Sequence, residues 1–142
     1  MSEYIAVKLR NLVKKRAKGI CEYCRIPENF SPQPFCFEHI LPKALSGETT
    51  AENLALACQG CNAFKATRTE FADEITETKA RLFNPRKQIW NEHFAWSADF
   101  TEVFGITATG RATVKALKLN RIGLVNLRRA LFVIGNHPPT EK

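Results

Sequence analysis

The sequence predicts an α+β fold, and three observations carry that expectation. Apolar residues recur at helical spacing near both ends of the chain. Short runs rich in β-formers and bounded by proline lie between them. Two C-x-x-C pairs, Cys21/Cys24 and Cys58/Cys61, are separated by 33 residues and bracket the first of those runs, so a metal held by both pairs would fasten the ends of an inserted element.

Taken in order, Ile5, Leu9, Leu12 and Val13 predict a basic amphipathic helix from Glu3 to about Lys18, with Gly19 as its stop. A cysteine knuckle follows, then a loop carrying Pro27, Pro32 and Pro34. Phe35 to Leu41 reads as a strand ended by Pro42, Ser46-Gly47-Glu48 as a turn, and Asn53 to Ala57 as a second short element. Cys61 to about Thr78 reads as helix. Beyond the break at Asn84-Pro85, Ile89 to Ser97 and Glu102 to Ile106 predict a hairpin around residues 98–101, with Phe94 and Trp96 on one face. Val114, Ala116 and Leu117 then mark one helix, and Leu124, Leu127, Leu131 and Ile134 another that Pro138-Pro139 stops. Trp90, Phe94 and Trp96 are expected in the core rather than stacked on bases.

With 142 residues and 44% hydrophobic content, the chain suits one domain over residues 1–142, with a motif core at 21–78 and a C-terminal extension at 85–139. No run approaches the roughly 20 apolar residues of a membrane span, so a soluble, cytoplasmic protein without a membrane partner is expected. The net charge of +7 is uneven. Residues 1–20 carry six basic side chains and one acidic, residues 111–142 carry seven and one, and the stretch between carries eight and twelve. Basic flanks around an acidic centre suit a polyanion gripped by its backbone while the centre holds cations; solvated helix faces give the same pattern.

Five cysteines without an export signal do not make a secreted disulfide framework. Two C-x-x-C turns supply four thiolates to a tetrahedral ion, which points to structural Zn²⁺ on Cys21, Cys24, Cys58 and Cys61. A thioredoxin-like redox pair is the competing reading, and it leaves one of the two motifs unexplained. Cys36 is expected to be a buried small apolar residue. Inside the bracket lie Glu38, His39 and Asn53, and Asn62 follows the last cysteine. Glu38 and His39 are neighbours on a strand and so point to opposite faces.

These residues resemble a known family. Glu38-His39-Ile40-Leu41-Pro42, the following Gly47, Asn53-Leu54-Ala55-Leu56 and Cys58-Gln59-Gly60-Cys61-Asn62 with Lys65 are similar to the HNH endonucleases, in the subgroup with a four-cysteine zinc. The resemblance covers residues 21 to about 68, and it implies a ββα-metal (His-Me finger) core that clasps one divalent cation. By resemblance His39 corresponds to the general base and Asn53 to the asparagine that steadies the loop and orients that base. Glu38 and Asn62 correspond to the two protein ligands of the catalytic cation. Glu38 stands where the family usually has Asp or His, one methylene shorter in the case of Asp.

The implied activity is DNA phosphodiester hydrolysis that leaves a 3′-hydroxyl and a 5′-phosphate. A neutral imidazole takes a water's proton near pH 7, and a cation with only two protein ligands keeps positions for phosphate and water. Glu and Asn oxygens favour Mg²⁺ or Mn²⁺, with Ni²⁺ or Zn²⁺ also tolerated. Lys65, Arg68, Lys14, Lys15 and Arg111 are the foremost candidates for phosphate contact with double-stranded DNA, with Lys8, Lys18, Lys115, Arg128 and Arg129 beside them. The alternative is a catalytically inactive, zinc-stabilised nucleic-acid-binding module, which has the same cysteines and the same basic flanks.

Overall fold

The computed structural model describes residues 4–140. Among them the fold mixes four α-helices with three two-stranded antiparallel sheets. Helix α1 (Val7–Arg16) begins after Ala6 without a side-chain cap; its last turn carries Lys14, Lys15 and Arg16, where cations favour the negative end of the helix. The predicted start at Glu3 lies outside the described residues. Lys18 and Gly19 both take positive φ and turn the chain toward Cys21. Val13 is fully buried, and α1 packs on β2. Arg16 extends the attachment, since its guanidinium donates to the carbonyls of Ala51 (2.9 Å) and Leu54 (2.8 Å).

Strands β1 (Cys36–His39) and β2 (Leu54–Ala57) pair in a register that sets Glu38 opposite Ala55 and His39 opposite Leu54. All four residues of β2 are buried, as expected of a continuous apolar run enclosed on both faces. Helix α2 (Gln59–Lys65) follows at once and packs on β1. It stops where Ala66 takes φ 49°.

The reading of Cys61 to Thr78 as helix is therefore corrected. After α2 the chain forms a second hairpin, β3 (Glu70–Asp73) and β4 (Thr78–Arg81), with Glu70 opposite Arg81. Thr67, Thr69, Thr76 and Thr78 disfavour helix by β-branching. Asp73 decides the turn, because its carboxylate accepts from both the amide (3.2 Å) and the hydroxyl (2.8 Å) of Thr76.

The third hairpin joins β5 (Phe94–Trp96) to β6 (Val103–Gly105), shorter than the runs that predict it because Trp90–Glu92 form a 3₁₀ turn. Trp90 stacks on Phe94 (centroids 4.9 Å apart) and lies 5.1 Å from Trp96, which places the aromatic trio in the core as expected. The Trp90 indole also donates to the Tyr23 carbonyl (3.0 Å), tying this hairpin to the first cysteine knuckle. Helix α3 (Ala108–Ala116), capped by the Thr107 hydroxyl, packs on β6 and on the β3–β4 hairpin. Helix α4 (Ile122–Val133) buries Leu124, Arg128 and Leu131.

Gly110 explains how closely α3 sits, since a Cβ there would overlap the carbonyl oxygen of His93. Gly123, in the first turn of α4, has no neighbour within 4 Å of where its Cβ would be. Gly110→Ala should thus destabilise the protein by about 1–3 kcal/mol through overpacking. Gly123→Ala should stabilise it by about 0.5–1 kcal/mol by removing backbone freedom from the unfolded chain. Chemical denaturation of the two variants checks the opposite signs.

Candidate functional site

The two knuckles arrive from different elements. Cys21 and Cys24 form a turn after α1; Cys58 is the N-cap of α2, and Cys61 lies one turn inside it. Within each turn an amide faces a sulfur, Cys24 N–H on Cys21 Sγ (3.5 Å) and Cys61 N–H on Cys58 Sγ (3.4 Å). All four sulfurs are buried and lie within 4.8 Å of one another, positioned to bind a metal ion. The cross-knuckle pair Cys24–Cys58 is 3.7 Å apart. That matches the edge of about 3.8 Å for a tetrahedron of sulfurs around zinc at about 2.3 Å. Cys36 is half-buried and stands outside the four.

Crowding the sulfurs affects them unequally. Burial pushes the Cys24 thiol well up, hydrogen bonds chiefly from Cys21 and Cys24 push Cys58 strongly down, and Cys61 is held up first by its bond with Cys21. A divalent cation bound there would supply the charge that lets all four ionise together. A group that the sequence reading missed lies alongside. Arg121, just before α4, places its guanidinium 3.5 Å from Cys58 Sγ and 3.7 Å from Cys61 Sγ. Burial works against its charge, yet the sulfurs outweigh burial and raise its pKa. Nothing in its local sequence marks that role, because the contact spans sixty residues.

On β1, Glu38 is 4% exposed and faces inward. One carboxylate oxygen accepts from the Tyr23 hydroxyl (2.6 Å) and the other from the Lys65 ammonium (2.8 Å). Burial pushes its carboxyl up, against the pull of Lys65 and Tyr23; burial and the adjoining Glu38 in turn raise the Tyr23 phenol well above its usual value. Asn62, one turn earlier on α2, directs its side chain to the Cys36 thiol. Glu38 and Asn62, read by resemblance as a cradle for Mg²⁺ or Mn²⁺, do not fit that role as arranged. Both carboxylate oxygens are engaged, one by the Tyr23 hydroxyl and the other by the Lys65 ammonium. Lys65 is itself 1% exposed, so its predicted contact with a phosphate is corrected as well.

His39, on the opposite face of β1, is half-buried, and its Nε2 lies 2.8 Å from the Thr49 hydroxyl. Thr49 belongs to the loop between β1 and β2, which Asn53 closes. The Asn53 amide oxygen accepts from Leu41 N–H (2.8 Å), and its NH₂ donates to the carbonyls of Leu41 (3.0 Å) and Glu48 (2.8 Å). Gly47 fits there because a side chain would strike the Leu41 carbonyl. Asn53 thus steadies the loop, and Thr49 is the member that touches the ring. A cleft of about 660 Å³ opens beside this loop, walled by Leu41, Glu48 and Asn53 on one side and by Arg81, Asn84 and Lys87 on the other.

Residues 21–68 match the HNH endonuclease family. Neither the comparison with curated proteins nor that with solved structures finds a match. The HNH segment runs from the first cysteine to Arg68 and takes in both knuckles, the β1–β2 hairpin and α2. The matched residues stop short of the two later hairpins and of α3 and α4.

Of the basic candidates, Lys14 and Lys15 are exposed on α1, with Lys14 3.9 Å from Glu28. Arg68 is exposed beside α2, donating to the Phe64 carbonyl (2.7 Å) with its guanidinium over the Phe71 ring. Arg128 is corrected: it is fully buried and donates to the carbonyls of Thr101 (3.1 Å) and Cys24 (3.2 Å). Lys115 pairs with Glu74. Arg111 is spoken for too, since its guanidinium grips Asp73 through two hydrogen bonds of 2.8 and 3.0 Å.

The Arg111 hydrogen bonds hold the Asp73 carboxyl well below its usual 3.8, with Thr76 assisting. A depressed pKa in the folded state means that the unfolded chain binds more protons, so stability rises with pH across this window. The contribution is present above about pH 4 and fades as the pH falls toward the folded value. Arg111→Met should therefore lower the melting temperature at pH 7 and flatten its decline between pH 5 and pH 2, as thermal melts across that range would show.

Proposed function

We propose that the protein is an HNH nuclease that hydrolyses phosphodiester bonds of double-stranded DNA, working as one domain over residues 1–142 in the cytoplasm. In this reading β1, β2 and α2 are the ββα-metal core, zinc on the four cysteines fastens it, and His39 is the general base. The observation that supports it most is the placement of His39: the ring leaves the end of β1, and Nε2 is within 2.8 Å of an oxygen. A neutral imidazole held in this way takes a proton from water near pH 7. Asn53 acts through the loop it closes, keeping Thr49 against the ring, and so is a positioning residue.

The family commonly works with a divalent cation. In this chain the place beside Glu38 is filled by Lys65, and Glu38 and Tyr23 belong to the support behind β1. Phosphate contact falls to the exposed cations, with Lys14, Lys15 and Arg68 foremost. The Glu38–Lys65 pair also favours a second reading, a zinc-stabilised module that binds nucleic acid without cutting it.

Supercoiled plasmid separates the two. Wild-type protein with Mg²⁺ or Mn²⁺ should convert it to the nicked form, and His39→Ala should lower that rate by about 10²–10⁴-fold while remaining folded and DNA-bound. Equal nicking by both proteins would sink the role of His39, and absence of nicking with retained binding would leave the second reading standing. Cys58→Ala should abolish stoichiometric zinc and unfold the chain, because metal binding supplies folding free energy at such a site. Metal analysis with circular dichroism reads both.

A further inference from the structure

Lys65 touches the chain on both sides of His39. Its ammonium donates to the Glu38 carboxylate (2.8 Å) and to the backbone carbonyl of Ile40 (2.9 Å), the residues immediately before and after the histidine. Tyr23, reaching in from the first cysteine knuckle, holds the other oxygen of the same carboxylate. The face of β1 turned away from the imidazole is thus clamped by a helix and by a knuckle, and each of these is itself anchored on the four-cysteine site.

A buried ammonium is tolerated only when paired, and an apolar side chain of similar size commonly serves stability as well or better. The pair has a geometric consequence that an apolar filling lacks. An aliphatic side chain slides along a strand, whereas two directed hydrogen bonds fix the strand's height and twist at residues 38 and 40, and through them the direction in which residue 39 projects. We propose that Lys65 is a positioning residue for His39, fastening β1 from behind so that the imidazole is held in one orientation. The inference rests on the reading of His39 as the base. It replaces two assignments by resemblance, Lys65 as a phosphate contact and Glu38 as a ligand for a divalent cation.

Lys65→Met tests it with three readouts on the full-length zinc-loaded protein. Single-turnover nicking should fall at least 10-fold, the order expected when a catalytic group is displaced by a fraction of an ångström to about 1 Å. DNA affinity and its salt slope should be unchanged, whereas loss of a phosphate contact would weaken binding and reduce the slope by about one. The ring ¹⁵N–¹H correlations should shift or broaden for His39 but stay in place for His93 and His137, the other two histidines of the chain. A folded Lys65→Met protein with wild-type nicking and an unmoved His39 ring overturns the proposal, as does weakened binding with a reduced salt slope.

If Lys65→Met does not fold, Glu38→Leu with Lys65→Met removes both charges together and leaves neither group unpaired. There, a moved His39 ring in a folded protein supports the proposal, and a wild-type ring spectrum overturns it. Should wild-type protein show no nicking at all, the nuclease reading fails by itself. The ring spectra then still decide whether Lys65 orients His39.

Discussion

The meeting of four sulfurs is the constraint on which the rest of the structure depends. Two of them follow α1 and two open α2, so an ion held by all four would tie the chain's first helix to the helix that carries Asn62 and Lys65. Every residue of the β1–β2 hairpin lies between those attachment points. The hairpin and its loop are short, and β2 is buried along its whole length. The apolar residues of β2 join the common core, and an ion on the four cysteines would fasten the two ends of the hairpin from outside.

Polar groups are recruited into the interior in a consistent way. Arg128, Lys65 and Asp73 are all nearly inaccessible to solvent, and each meets partners from a distant part of the chain. Arg128 joins α4 to the first knuckle and to the third hairpin; Asp73 joins the second hairpin to α3 through Arg111; Lys65 joins α2 to β1. Directional bonds of this kind specify which surfaces meet, where apolar contact alone leaves their relative sliding free.

What the sequence revealed depended on how far apart the interacting residues lie. The first strand pair, the third hairpin and the last two helices were legible because their periodicity is local and because Pro42 lies just beyond β1, where the strand ends. The metal-binding set was legible because cysteine has few uses and its spacing is telling. The β3–β4 hairpin was lost because Phe64, Phe71 and Ala72 also suit a helical stripe, and the Asp73–Thr76 turn that decides the matter is a side-chain interaction. Within the site, strand alternation correctly set Glu38 and His39 on opposite faces. It gave no sign that Tyr23 and Lys65 would converge on the carboxylate, since those partners are 15 and 27 residues away. Thr49 was likewise hidden in a loop where threonine is ordinary.

Arg121 gives the sulfur cluster a guardian drawn from outside the segment that family likeness covers. Its guanidinium stands over Cys58 and Cys61, and the same side chain is moored to the carbonyls of Leu117 and Lys118 at the end of α3. A chelator or oxidant approaching from that side meets an arginine before it meets sulfur. The segment beyond residues 21–68 thus stands between two of the sulfurs and solvent, and an ion held there would be shielded by a side chain that the family match does not include.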